Sequence, residues 1–309
     1  MLSLPEASSV AGRVDTLFDA MLGLSAIVVI GVFTVIVWFA TKYRHGSKAD
    51  RTRADSKSLG IEMTWTLLPF GLFIAIFAWS IALFADMSRA PENATAIYVV
   101  AKQWMWTVQH EGGQRELNTL HVPLHQPTRL VMTSQDVIHS FYVPAFRVKQ
   151  DVLPGRFTQL WFEPTQTGTF DLFCAEFCGT DHSRMMGSIV VMEPANYSRW
   201  LSEHVGPGLS ERGADLFRHL GCSGCHDPHS GVHAPLLEGL YGRTVPLQDG
   251  TWVRVDDRYI HDSILLPAKE VAAGYQPIMP TYSGRIGEED VLALIAYLKV
   301  IGGASHEQH

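Results

Sequence analysis

Residues 174–185 read Cys174-Ala-Glu176-Phe-Cys178-Gly-Thr-Asp-His182-Ser-Arg-Met185, and a further imidazole, His139, lies 35 residues upstream of the first cysteine. Two thiols, two imidazoles and a thioether are soft donors, which suit copper or zinc better than calcium or magnesium. Two bridging cysteines, terminal His139 and His182, Met185 and one backbone carbonyl would satisfy a pair of copper ions sharing one delocalised electron. A Cys174–Cys178 disulfide on a loop is the plain alternative, but it leaves His182 and Met185 unexplained. A second motif, Cys222-Ser-Gly-Cys225-His226, has the spacing for covalent attachment of a c-type haem. There two thiols add across the vinyl groups and the adjacent imidazole ligates iron. A thioredoxin-like or zinc-binding cysteine pair would not call for His226. The sixth iron ligand must come from the opposite haem face, which His229 and His233 lie too close to His226 to reach. His261 is one candidate. Met279 is the better one, 53 residues beyond His226 in a loop stiffened by Pro277 and Pro280.

The elements that position these groups follow from composition and pattern. The chain has 309 residues, 47% hydrophobic and 18% charged, a balance shifted toward membrane proteins. Its net charge of −7 argues against a nucleic-acid partner. All four cysteines fall in the two motifs, so none is left for a structural disulfide. Residues 1–19 lack the basic stretch of a signal peptide. Residues 20–41 and 63–85 carry no charge. The shorter run, at about 1.5 Å per residue, gives roughly 33 Å of helix, enough for a hydrocarbon core of about 30 Å. Between them lie Lys42, Arg44, Lys48, Arg51, Arg53 and Lys57, against Arg13 before the first span and Arg89 after the second. The positive-inside rule places that loop in the cytoplasm, and both termini with everything after residue 86 on the periplasmic or equivalent side. Short β-rich runs at 97–100, 129–133, 157–162 and 188–192, separated by Pro, Gly, Asn and Gln, predict an all-β sandwich or barrel. In that reading His139 ends one strand, and Cys174–Met185 bridges the last two. Residues 194–209 read as a linker with a short helix around 197–204. Ser210 reads as the N-cap of a further domain, closed by a helix over 287–298 with acids in its first turn. The divisions are therefore 1–95 for the N-terminal segment and hairpin, 96–193 for the β domain, 194–209 for the linker and 210–309 for the haem domain. No repeat, nucleotide-binding glycine loop or hydrolase triad is present.

The pattern C-x-E-x-C-G-x-x-H-x-x-M after an upstream His-Ser-aromatic resembles the dinuclear copper (CuA) site of cytochrome c oxidase subunit II. Together with the haem motif, the resemblance runs from residue 17 to about 301 and matches the layout of subunit II of caa-type oxidases. It implies a two-helix membrane hairpin, a cupredoxin-like barrel and an all-α cytochrome c domain. By that resemblance Glu176 gives its backbone carbonyl to one copper, and its carboxylate faces a magnesium ion shared with subunit I. Met279 resembles the methionine of small cytochromes c. Glu62, at the head of the second span, matches a glutamate near a proton channel, although a carboxylate at a helix start is also favoured by the helix dipole. Gln103-Trp104-Met105-Trp106 is similar to the family's aromatic cluster, with Met105 where tyrosine is usual. Trp104 is either where electrons enter or an ordinary strand aromatic. The implied work is a relay from a cytochrome c-like donor through haem c and copper to subunit I, where oxygen is reduced and protons are translocated. Subunit I, subunit III and the lipid bilayer are the implied partners, in a bacterial cytoplasmic membrane. A copper-containing nitric oxide reductase would keep both cofactors. A membrane-anchored redox or copper protein without an oxidase partner would leave Glu62 and the Glu176 carboxylate without a role.

Overall fold

The computed structural model describes residues 5–50, 58–204 and 206–303; Arg51, Arg53 and Lys57 of the basic loop lie outside these. Helix α1 spans Ala11–Lys42 and α2 spans Leu59–Met87, each longer than its uncharged run. Among the described residues these two are the helices long and apolar enough to cross a membrane. Their aliphatic and aromatic side chains point outward, as lipid-facing or subunit-facing surfaces require. Ser58 caps α2, its hydroxyl oxygen accepting from the Ile61 N–H at 3.4 Å. Pro69 sits inside α2 without ending it.

The outer ends of the hairpin are tied to the β-rich part of the chain. Ala7 N–H donates to the Ala145 carbonyl at 2.9 Å, and Thr165 N–H donates to the Ala7 carbonyl at 3.0 Å. The Arg147 guanidinium forks onto both Asp15 carboxylate oxygens at 2.7 Å. Arg13 holds Asp86, near the end of α2, at 2.7 Å.

Ten strands then build a sandwich: β1 Thr95–Lys102, β2 Met105–His110, β3 Arg115–Leu117, β4 Thr119–Pro123, β5 Thr128–Ser134, β6 His139–Val143, β7 Val148–Val152, β8 Thr158–Phe162, β9 Gly168–Cys174 and β10 Met186–Met192. One sheet has the order β3-β2-β1-β5-β8 and the other β4-β10-β9-β6-β7. Alternate residues of the two inner faces (Ile97, Val99, Leu130 and Met132 against Phe141, Leu172, Ile189 and Val191) form one core. His139 begins β6 and does not end a strand as the sequence suggested. Pairing of β6 with β7 and β9 fixes it, and the preceding turn is what reaches it.

The C-terminal part is helical: α3 Pro194–Glu203, α4 Leu209–His219, the single turn α5 Ser223–His226, a small hairpin of β11 Thr244–Pro246 and β12 Trp252–Arg254, then α6 Asp257–Leu265 and α7 Glu288–Ile301. The expected cap at Ser210 is not used. The N-cap position of α4 is Gly208, and Ser210 lies within the helix. Helices α4 and α7 cross where Gly213 meets Ala293: a Cβ on Gly213 would stand 1.9 Å from the Ala293 carbonyl oxygen. Glycine is therefore what permits this crossing.

Candidate copper and haem centres

The turn after β9 and the start of β6 converge on one buried point. Cys174 ends β9, Cys178 and His182 follow on the turn, and Met185 closes it before β10. His139, Cys174, Cys178 and Met185 are all at most 9% exposed. Cys174 Sγ lies 3.8 Å from Cys178 Sγ, 4.0 Å from His139 Nδ1 and 3.3 Å from the Glu176 carbonyl oxygen. Cys178 Sγ lies 3.4 Å from His182 Nδ1 and 3.7 Å from Met185 Sδ. Both thiols are free. The four other expected donors thus surround the two cysteine sulfurs, which stand 3.8 Å apart and unbonded.

The electrostatics suit metal-bound thiolates. Burial pushes Cys174 up, but hydrogen bonds led by His139 outweigh it and hold this thiol low. Burial and the neighbouring Cys174 charge push Cys178 up, so two thiolates side by side call for a cation. Burial alone would lower His139, yet its bonds to Cys174 and Asp136 raise it.

The supporting roles of two residues, Asp136 and Gln103, escaped the sequence reading. Asp136 accepts from His139 Nε2 at 2.8 Å, which leaves Nδ1 facing the sulfurs. Gln103 donates its backbone N–H to Asp136 at 2.7 Å and its side-chain amide to the Cys178 carbonyl at 2.8 Å. The carboxylate three residues before His139 was a usable signal. Gln103, 75 residues from Cys178, was not. Trp104 lies in the turn between β1 and β2, and its indole N–H donates to the same Cys178 carbonyl at 3.3 Å. It therefore touches the copper loop directly. Glu176 is exposed, with its carbonyl turned into the site. Glu62 sits in the first turn of α2, remote from either centre in sequence and exposed.

The second centre is a cavity of about 600 Å³ in the helical domain, a volume ordinary for cofactor sites of roughly 300–1,000 Å³. Cys222, Cys225 and His226 line it from the α4–α5 side, and Met279 lines it from the loop before α7. Apolar residues such as Phe217, Leu220, Ile260 and Leu294 make up much of the wall. His226 Nδ1 bonds the Pro235 carbonyl at 2.8 Å, fixing the ring and leaving Nε2 for a ligand. Tyr282 donates to the Leu220 carbonyl at 2.9 Å beside Cys222. The alternative sixth ligand, His261, is absent from this lining. It is buried, with Nδ1 3.3 Å from Asp262 and Nε2 3.1 Å from Glu288. A largely apolar slot with two thiols and an imidazole on one wall and a thioether on another fits a covalently attached haem.

Known proteins bear on both centres. Residues 1–83 match the family described as cytochrome c oxidase subunit II, transmembrane domain. Residues 110–193 match cytochrome c oxidase subunit II, periplasmic domain, and residues 210–301 match cytochrome c. The cytochrome c oxidase subunit 2 of Alkalihalophilus pseudofirmus is 28% identical over 294 residues, 90% of this chain and 83% of that one. The alternative cytochrome c oxidase subunit 2 of Bradyrhizobium diazoefficiens is 29% identical over 218 residues, 59% of this chain and 79% of that one. The crystal structure of the periplasmic domain of subunit II from Bradyrhizobium japonicum is 32% identical, with a TM-score of 0.36, and covers 38% of this chain and 96% of that chain. With the subunit II families matching both the hairpin and the sandwich, and the cytochrome c family matching the helical domain, the chain belongs to the cytochrome c oxidase subunit II family and is a membrane-bound electron-transfer subunit with a C-terminal cytochrome c domain.

Proposed function

We propose that this chain is subunit II of a caa-type cytochrome c oxidase. It takes electrons from a cytochrome c-like donor and delivers them to subunit I, where oxygen is reduced to water and protons are translocated. The observation that carries this reading is the coexistence of both centres in one chain: five soft donors and a carbonyl oxygen converging in the sandwich, and the thiol-, imidazole- and thioether-lined slot behind it. Bound in those places, a dinuclear copper (CuA) pair and a haem c each supply a one-electron couple. The protein's part is positional. Cys174, Cys178, His139, His182, Met185 and the Glu176 carbonyl would hold the copper pair. Cys222 and Cys225 would anchor the haem, and His226 and Met279 would hold its iron. Asp136 and Gln103 hold the copper ligands rigid, so little need rearrange when charge moves.

Several finer assignments belong to the same reading. Domain limits are 1–95, 96–193, 194–209 and 210–309. The hairpin anchors the chain in a bacterial cytoplasmic membrane with the 42–61 loop inside. The hydrogen bonds from Ala7 and Thr165 and the Arg147–Asp15 fork put the N-terminal segment on the sandwich side, as a two-span hairpin requires, and the basic residues of the 42–61 loop carry the sidedness. Subunits I and III are its membrane partners. The exposed Glu176 carboxylate is free to face a magnesium ion shared with subunit I. Glu62 serves proton uptake, and Trp104 is a subsidiary point of electron input.

Gentle solubilisation and purification of the intact complex tests the proposal. A haem-copper catalytic subunit should co-purify, the copper should show a mixed-valence paramagnetic signal, and reduced cytochrome should be oxidised with oxygen uptake. Turnover with nitric oxide in place of oxygen would transfer the chain to a copper-containing nitric oxide reductase. Purification without a catalytic subunit would make it a free-standing redox protein.

A further inference from the structure

Strand β1 carries the unbroken apolar run Ile97-Tyr98-Val99-Val100, and every residue from Ala96 to Ala101 is buried. A sandwich strand with one solvated face should instead alternate, and continuous burial marks a strand covered on both faces. Ile97, Val99 and Ala101 turn inward with Leu130 and Met132. Tyr98, Val100 and Val131 point outward, with Tyr98 paired to Val131, yet all three are buried. What covers them is the cytochrome domain: Leu209 of α4 and Leu292 and Ala293 of α7 complete one cluster with them.

The edges of this contact are specific. Phe157, from the turn between β7 and β8, packs against both this cluster and the cytochrome core. Its ring meets His261 edge-on at 5.3 Å and 76°. Arg115 of β3 pairs with Glu289 of α7. At the start of α7, a Cβ on Gly287 would lie 3.3 Å from Gln135 Nε2. Gln135 adjoins Asp136, which holds the copper-site imidazole of His139. The segment joining the domains is itself seated: the Gln114 side-chain amide donates to the Leu201 carbonyl at 2.8 Å, and Gly113 packs against Gly206.

We propose that the cytochrome domain is locked on the outer face of the β3-β2-β1-β5-β8 sheet. The one electron lost by its haem is then gained by the copper pair in this docked arrangement, without excursion of the domain on its linker. The relay direction rests on the function proposed above; the docking does not. Undocking would expose Tyr98, Val100, Val131 and Leu292 together, a contiguous apolar surface of the kind soluble domains avoid. A merely tethered domain would need no such surface, since tethering alone raises effective concentration.

The test uses the assembled membrane enzyme. A Gln135→Cys, Gly287→Cys double variant, with each single variant as control, should be bridged rapidly and almost completely by a short bifunctional thiol reagent that replaces the reach of the lost glutamine side chain. The cross-linked enzyme should keep its wild-type rate of flash-initiated copper reduction by haem. Inserting four Gly/Ser residues after Pro207 should leave that rate unchanged, whereas a shuttling domain slows as roughly the −3/2 power of linker length. Leu292→Asp should lower the cross-linking yield in the triple variant while the haem spectrum stays intact. Failure to cross-link, a cross-linked enzyme whose copper is no longer reduced, or a rate that falls with the insertion would each overturn the proposal. A wild-type enzyme in which haem never reduces copper would instead defeat the relay, while the cross-linking yield still reports the docking.

Discussion

Cys178 is the residue on which the copper site turns, because its sulfur neighbours Cys174, His182 and Met185 at 3.4–3.8 Å and its carbonyl accepts from both Gln103 and Trp104. Cys178→Ser removes a soft sulfur donor but keeps the carbonyl. We expect the mixed-valence paramagnetic signal and nearly all turnover to disappear while haem c stays attached; an unchanged spectrum would rule out a dinuclear centre. In the haem slot, Met279→His replaces a thioether with a stronger σ-donor and should lower the potential. A fall on the order of 100 mV is roughly a fifty-fold change in a one-electron equilibrium, at about 59 mV per tenfold. Redox titration followed at the haem bands should show it, with the copper signal untouched. Turnover driven by a high-potential donor should drop in parallel.

Among the elements, α3 shows how a polar cluster fastens a short helix. Glu116 on β3 accepts from His110 Nε2 at 2.9 Å and also bonds His121 on β4. Tyr197 of α3 reaches His110 Nδ1 at 3.2 Å, and Trp200 stacks on His121 at 4.5 Å and 20°. Burial would raise the Glu116 carboxyl, but the two histidines outweigh it and bring it from 4.5 to about 2. A depressed carboxylate stabilises the fold above its unfolded pKa, and the contribution is lost as pH falls through the folded one. The window is therefore about pH 4.5 down to 2. The contribution is on the order of 3 kcal/mol, at about 1.4 kcal/mol per unit. Protection factors of the 194–203 amides, taken relative to the intrinsic exchange rate at each pH, should fall across that window in the native protein. In Glu116→Gln they should already be low at neutral pH and change little on acidification.

At the scale of the whole molecule, the chain runs from hairpin to sandwich to cytochrome domain, with the last seated on the sheet through Leu209, Leu292 and Ala293. Residues 210–309 hold eight Lys or Arg and thirteen Asp or Glu, a formal −5. A donor docking on this domain should therefore be basic. Complementary charge acts mainly on association rate, and salt screens it over a Debye length of about 8 Å at physiological ionic strength. The second-order rate of haem reduction by a basic cytochrome should fall steadily from low to physiological salt, and intramolecular copper reduction should not. A donor rate indifferent to salt would exclude electrostatic docking on this face.

The chemistry of both centres is legible in the sequence because it is encoded locally. Cys174, Cys178, His182 and Met185 occupy twelve consecutive residues, and Cys222, Cys225 and His226 five. The two uncharged runs are legible for the same reason, since crossing a bilayer depends on length and polarity along a single segment. The β-rich runs announced the sandwich, but not that His139 starts its strand or that Gly208, not Ser210, occupies the cap of α4. Those depend on strand pairing and helix crossing. His261 and Met279 both remain open as iron ligands in the sequence alone. Folding separates them by burying the imidazole between Asp262 and Glu288 and bringing the thioether to the cavity wall. Folding also accounts for apolar Tyr98 and Val100 on what pattern alone would make a solvent-facing side. Their partners Leu292 and Ala293 lie nearly two hundred residues away, and contacts between distant segments leave no periodicity to read until the chain has folded.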